Sequence, residues 1–424
     1  MTEDHTMTIE DRIKEMAVKA RKASWEMAKC PTAVKNAVLL KIAALLSENA
    51  EDIKLVNEKD LEYAREKGLS SAMIDRLTIK DTTIQSMITG LKEIVDLEDP
   101  VGAVTETRKR PNGLQVSKVR IPLGVIGIIY ESRPNVTIDA AALCLKAGNA
   151  VILRGGSEAL NSNRILAGII SKAFMEAGLS GDAVQVIPIR DREAINIMLA
   201  QDEHIDLIIP RGGEGLIRFV TQNSKIPVLK HYKGVCHVYI DDGCNQEMAY
   251  DIVRNAKVQR PGVCNALETL LVHKKVSYAF LPMMAKRLAE EGVTLRGCPE
   301  TCKIIPQAEA ADEADWHAEY LDLILAVKIV SNMDEAVKHI AEYGSDHTEA
   351  IITNSYDRAR RFVSEVNSSV VLVNASTRFN DGGQLGLGAE IGISTTKLHA
   401  FGPMGVDELT TQKYVVFGSG QVRD

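Results

Sequence analysis

Val125-Ile-Gly-Ile-Ile-Tyr130 is a continuous apolar run that ends in the polar turn Glu131-Ser-Arg-Pro-Asn135, and a helical pattern from Thr137 then leads to a second run, Val151-Ile-Leu153. The alternation continues through a helix from Asn161, the run Val184–Ile187, a helix from Arg192 and the run Ile205–Ile209. Runs this short and this apolar fit strands buried on both faces, and helices between them predict βαβ crossovers around a parallel sheet. A second series follows from about Val235: Val238–Ile240, Thr269–His273, Leu323–Val330, Glu349–Thr353 and Val370–Val373, again separated by helices. The expected fold class is therefore α/β, with two sheet-bearing parts.

Upstream, Ile9 to about Leu97 places apolar residues three and four apart, which reads as an α-helical opening. Pro111-Asn112-Gly113 is a turn signal, followed by alternation through Leu114, Val116 and Val119, so 107–120 reads as an exposed hairpin. Its basic cluster, Arg108, Lys109, Arg110, Lys118 and Arg120, reads as a solvated face. Near the end, Tyr414–Phe417 is a lone apolar strand that has to pair with the hairpin or with a neighbouring subunit.

Length and composition bound the function. At roughly 150 residues per domain, 424 residues predict two or three units. A net charge of -7 gives no electrostatic footprint for nucleic acid or an anionic membrane. Thr2, Glu3, Asp4 and His5 open a charged segment without the apolar core of a secretory signal, and no apolar run approaches the roughly 20 residues of a membrane span. Seven scattered cysteines fit reduced thiols better than a disulfide framework, so a cytoplasmic location is expected. His231, Cys236 and His237, and separately Cys298 and Cys302, lack the spacing of a metal site, so no metal is expected.

Four loops carry groups suited to chemistry. Arg154-Gly-Gly-Ser157-Glu158 and Pro210-Arg211-Gly212-Gly213-Glu214-Gly215 each follow a strand and supply a guanidinium and free backbone N–H groups near a helix start, which suits phosphate. Neither matches GxGxxG, and ordinary loop punctuation reads equally well. Glu131–Asn135 gathers polar groups at the carboxyl end of a parallel strand, where ligands bind. Val258-Gln-Arg-Pro-Gly-Val-Cys264-Asn-Ala266 sets a cysteine just past a Pro-Gly turn, with Arg260 nearby to favour a thiolate. Taken alone, that loop fits a buried inert thiol better than a nucleophile.

Together, Ile121–Asn135, the Arg154 loop, Val258–Leu271, Asn374-Ala-Ser-Thr-Arg-Phe379 and the segment from Val330 to Ile351 resemble the γ-glutamyl phosphate reductases of the aldehyde dehydrogenase superfamily. The resemblance implies an aldehyde dehydrogenase-like fold. Its Rossmann-like cofactor domain would take 1–106 and 121–234 and its α/β catalytic domain 235–400, with a small β oligomerisation element from 107–120 and 401–424. It implies NADPH-dependent reduction of L-glutamyl 5-phosphate to the 5-semialdehyde, a step of proline biosynthesis, through a thioester on Cys264. Asn135 and the Cys264 N–H would hold the oxyanion. Arg154 and Ser157 would lie near the cofactor's ribose and 2′-phosphate, Arg211, Gly212 and Gly213 near its phosphates, and Glu319 at the nicotinamide ribose.

In the same comparison, Lys230 falls where aldehyde-oxidising relatives carry a water-activating glutamate, and its charge suits an anionic acyl phosphate. Ser376, Thr377 and Arg378 are candidates for the substrate's amino-acid end, with a purely structural role for that loop standing beside this one. The resemblance also implies a homo-oligomer and transient contact with glutamate 5-kinase. The competing readings are a hydrolytic or coenzyme A-dependent aldehyde dehydrogenase on the same fold, and a catalytically silent scaffold.

Overall fold

The computed structural model describes residues 7–423, so Thr2, Glu3, Asp4 and His5 lie outside the described residues. The chain forms two compact units, one running to Lys230 and including Leu387–Gly392 and the tail from Met404, the other comprising His231–Gly386 and Ile393–Pro403.

The first unit begins with helices Ile9–Met27, Thr32–Glu48, Ala50–Glu66, Ser71–Leu77 and Asp81–Asp96. The first starts where it does because Thr8 and Asp11 form a capping box, the Thr8 hydroxyl accepting from the Asp11 N–H at 3.1 Å. Its stripe of Ile13, Ala17 and Ala20 packs with Val125, Ile129, Ala150 and Ile152, covering one face of a parallel sheet. The helix Asn135–Lys146 lies against the other face, where the Tyr130 hydroxyl meets that of Thr137 at 2.7 Å. Burial on both faces is why these strands carry no polar alternation.

The order across this sheet is Val184–Val186, Ala150–Arg154, Val125–Tyr130, Leu207–Arg211, all parallel. The chain runs outward from Val125–Tyr130 in one direction and then returns to its other side, so the carboxyl ends of Val125–Tyr130 and Leu207–Arg211 flank a topological switch point, where such sheets bind ligands. The last strand includes Pro210, beyond the expected end at Ile209; it lies at the sheet edge, where a missing N–H is tolerated.

Val104–Lys109, Gln115–Pro122 and Thr410–Phe417 form a separate antiparallel sheet within this unit. Gly113 makes its turn at φ +88°, a conformation glycine adopts without strain. The tail strand is longer than Tyr414–Phe417, because its first residues are polar and gave no apolar signal.

The second unit holds seven parallel strands, in the order Glu309–Ala310, Thr294–Gly297, Ile324–Val330, Leu267–His273, Cys236–Ile240, Thr348–Ile352 and Val370–Val373. The first two have no counterpart in the sequence reading: Thr294-Leu-Arg-Gly297 and Glu309-Ala310 are short and only partly apolar. A buried ion pair, Lys257 to Glu268 at 2.8 Å, lies between the helix Gln246–Val258 and the strand Leu267–His273. Among the described residues no helix is long and apolar enough to cross a membrane.

Candidate functional site

At the switch point of the first unit, Asn135 opens its helix half-buried and donates from Nδ2 to Asp139 at 3.0 Å. Burial pushes Asp139 up to about 6, against the opposing pull of Asn135 and the Arg211 guanidinium. Arg211 is held close: a Cβ on Gly392, whose φ is +145°, would land on its guanidinium. The Gly213 N–H heads the helix Glu214–Asn223 and donates to the Glu131 carboxylate at 3.1 Å. Glu131 thus stands in for an anion at a helix N-terminus, which shows that the donors there can take one. Gly212 also lies against that carboxylate.

The Arg154 loop is similarly built. Arg154 is 7% exposed and donates to the carbonyls of Gly155 at 2.9 Å and Arg190 at 3.3 Å, leaving Nε without a protein partner. Burial is the first cause that lowers this guanidinium from its ordinary value. Gly155 has to be glycine, since a Cβ would stand 3.0 Å from the Tyr130 ring and run into the Asn163 amide. The Glu158 carboxylate folds over Gly156 and takes the hydroxyls of Ser132 and, at 3.3 Å, Ser157. Hydroxyls, a guanidinium with a spare donor and a cradle closed to a Cβ fit the ribose and phosphates of a dinucleotide.

In the second unit the helix Gln246–Val258 ends at Gln259, and the Pro261-Gly262 turn brings Cys264, half-buried, to the entrance of the strand Leu267–His273. The Cys264 carbonyl accepts from Cys236 Sγ at 3.1 Å. Gly234 presses on the same backbone, and its N–H donates to Glu319 Oε1 at 2.7 Å. Arg378 donates to Asn265 Oδ1 and, at 2.8 Å, to Gln259 Oε1. Burial first, then the neighbouring Arg260, lowers Arg378 from its ordinary value, while Cys264 acts in the opposite direction. The Arg378 guanidinium therefore feels the Cys264 sulfur, and a cation placed there suits an anionic substrate.

Not every expected residue is presented for binding. The Ser376 hydroxyl caps a short 3₁₀ turn by accepting from the Arg378 N–H at 3.3 Å and is 4% exposed, and Thr377 is fully buried. Lys230 is half-buried at the end of the first unit. His237 pairs with Glu349 at 2.9 Å, while the Cys298 and Cys302 thiols contact Thr301 and the Gly297 carbonyl, both at 3.3 Å. Among the described residues no group of three or more His, Cys, Asp or Glu could hold a metal ion. In the sequence, Glu131, Gln259 and Asn265 stand inside two of the candidate loops without a role of their own, and Asp139 and Asn380 are not singled out.

Residues 4–313 match the pattern of the aldehyde dehydrogenase family. A γ-glutamyl phosphate reductase from Desulfatibacillum aliphaticivorans is 63% identical over 417 residues, covering 98% of this chain and all of that protein. The crystal structure of a γ-glutamyl phosphate reductase from Thermotoga maritima superposes with a TM-score of 0.96 at 46% identity, over 98% of this chain and 100% of the other. A glyceraldehyde-3-phosphate dehydrogenase from Methanocaldococcus jannaschii, complexed with NADP, shares the fold at 14% identity and a TM-score of 0.66, over 97% of this chain and 95% of its own. The chain belongs to the aldehyde dehydrogenase family and, within it, to the γ-glutamyl phosphate reductases.

Proposed function

We propose that the chain reduces L-glutamyl 5-phosphate to L-glutamate 5-semialdehyde and phosphate, with NADPH as reductant, as a step of proline biosynthesis. The observation that carries this reading is the 63% identity over the full length of a γ-glutamyl phosphate reductase, with Cys264 in the loop that carries Arg260 and within the electrostatic reach of Arg378. The Cys264 sulfur attacks the acyl carbonyl, a C–S bond forms and the weakly basic phosphate leaves with the electrons of the C–O bond, giving a thioester. The Arg154 and Arg211–Gly213 loops, with Glu319 at the ribose, would hold the nicotinamide cofactor, which would supply the hydride that adds to the thioester carbonyl carbon. The thiohemiacetal then loses its C–S bond, releasing the aldehyde and restoring the thiolate. The Asn135 amide and the Cys264 N–H hold the oxyanion at each tetrahedral stage, and one such donor contributes roughly 3 kcal/mol.

Lys230 faces the acyl phosphate's charge and cannot act as a carboxylate base for water, so the thioester is resolved by hydride or phosphate. Arg378 is the stronger candidate for the substrate's carboxylate, and Ser376 acts by shaping its turn. Ser157, a neutral hydroxyl, admits a 2′-phosphate. The antiparallel sheet, with Tyr414 at 68% and Phe417 at 66% exposure, is the surface through which copies of the chain associate, and glutamate 5-kinase is a transient partner.

The test runs the reaction backwards with glutamate semialdehyde and NADP⁺. Oxidation that requires added phosphate or arsenate is expected. Sustained oxidation in phosphate-free buffer indicates the hydrolytic alternative, and dependence on coenzyme A indicates the acylating one.

A further inference from the structure

Beneath Cys264 runs a buried polar circuit that the chemistry above does not use. Cys236 Sγ donates to the Cys264 carbonyl at 3.1 Å and lies 3.6 Å from His347 Nδ1. That nitrogen is 2.7 Å from Thr348 Oγ1, which accepts from Asn380 Nδ2 at 2.7 Å. The circuit closes where the Asn380 carbonyl accepts from Asn265 Nδ2 at 2.8 Å. Cys236, His347, Thr348 and Asn380 are wholly buried and Asn265 nearly so. Burial also pushes His347 down to about 3, so its ring is neutral, and the tautomer with the proton on Nδ1 lets that N–H donate to Thr348 Oγ1 and towards Cys236 Sγ.

The circuit starts on the carbonyl of Cys264 and ends on the side chain of Asn265, so it grips the peptide between them from both sides. Cys236 is itself fixed by a register shift between Cys236 and His237, where the Glu349 carboxylate takes the His237 N–H at 2.8 Å. Paired buried polar groups recover little beyond their own desolvation, so net stability is a weak reason for such a set. A set of such groups tied to two consecutive residues has a geometric consequence instead: it fixes the backbone from which the sulfur projects.

We infer that Cys236, Thr348 and Asn380 are positioning residues that clamp the Cys264–Asn265 peptide so that the sulfur at position 264 meets the face of the acyl carbonyl at the angle addition requires. This rests on the reading of Cys264 as the nucleophile. The clamp touches neither substrate nor cofactor, so its loss acts on the chemical step and leaves binding alone.

The test measures kcat and KM for semialdehyde oxidation with NADP⁺ and phosphate in Cys236→Ala, Cys236→Ser and, in parallel, Cys264→Ala. Cys236→Ala is expected to lose about tenfold or more in kcat with KM values within about twofold, and Cys236→Ser, which keeps a donor, to recover to within about threefold of the parent. A kcat unchanged in Cys236→Ala overturns the clamp, as does a serine variant no better than the alanine one. Should Cys236→Ala not fold, Thr348→Val removes the central hydroxyl at nearly constant shape and Thr348→Ser restores it, with the same expected pattern and the same overturning results. Full activity in Cys264→Ala would instead remove the nucleophile reading itself, an outcome distinct from a failure of the clamp.

Discussion

Replacing Gly234 with alanine converts a backbone contact into a rate. A Cβ at 234 would stand 2.6 Å from the carbonyl carbon of Cys264 and 2.7 Å from its Cα, both main-chain atoms that cannot rotate away. Carbon atoms rest at about 3.5–4.0 Å, so one of the two segments has to move by about 1 Å. The 234 side is held by the hydrogen bond from its own N–H to Glu319 at 2.7 Å and by the bond from the Val235 N–H to Ser345 at 2.9 Å. Part of the displacement therefore falls on Cys264. A misplacement of about 1 Å at the reacting atom costs on the order of 10²-fold in rate, or about 2.7 kcal/mol in the barrier. The assay is kcat for semialdehyde oxidation at saturating NADP⁺ and phosphate, with folding checked by circular dichroism. Gly168→Ala is the control, because a Cβ there meets nothing within 4 Å and the residue lies in the helix Leu160–Glu176. A folded Gly234→Ala enzyme with kcat within about threefold of the parent refutes the reasoning.

Glu158→Gln removes the negative charge beside Ser157, so KM for NADP⁺ is expected to fall severalfold relative to NAD⁺, as steady-state kinetics with both cofactors would show. Lys257→Met leaves Glu268 buried without its partner and should cost about 3–5 kcal/mol, read by thermal or denaturant unfolding. Burial holds folded Glu268 up at about 7 against an ordinary 4.5, so the folded state keeps a proton that the unfolded chain releases between those values. Stability accordingly falls as pH rises through that window, and the variant's deficit should be larger at pH 8 than at pH 5. Asp139, raised to about 6, accepts from Asn135 in its ionised form, so kcat is expected to rise as pH passes through about 6. In Asp139→Asn that limb should vanish from the pH–rate profile.

How much of this was legible in the sequence follows from how local each signal is. Val125–Tyr130 and Ala150–Arg154 stand out because both faces of their sheet are buried, so every residue before the terminal Arg154 is free of charge. Thr294–Gly297 and Glu309–Ala310 do not, since strands this short need neighbours already in place to pair with. The Cys264 loop announces itself through Pro261 and Gly262, adjacent in the chain. What lies under it does not: Cys236, His347, Thr348 and Asn380 come from distant segments and meet Cys264 only once the parallel strands are in register. Cys236 and His237 carry no metal-site spacing in the sequence, and only the fold shows their partners, a carbonyl for one and Glu349 for the other. Ser376 reads as a substrate hydroxyl in the sequence and caps a turn in the structure.

The proposed reaction turns on a covalent glutamyl group on one sulfur. Enzyme mixed with glutamate semialdehyde and NADP⁺ in phosphate-free buffer, quenched in acid and digested, should yield a peptide spanning Val258–Ala266 that carries a single glutamyl group on Cys264, and phosphate added before the quench should erase it. An unmodified Cys264 peptide alongside formed NADPH, or an acyl group on any other residue, would contradict it.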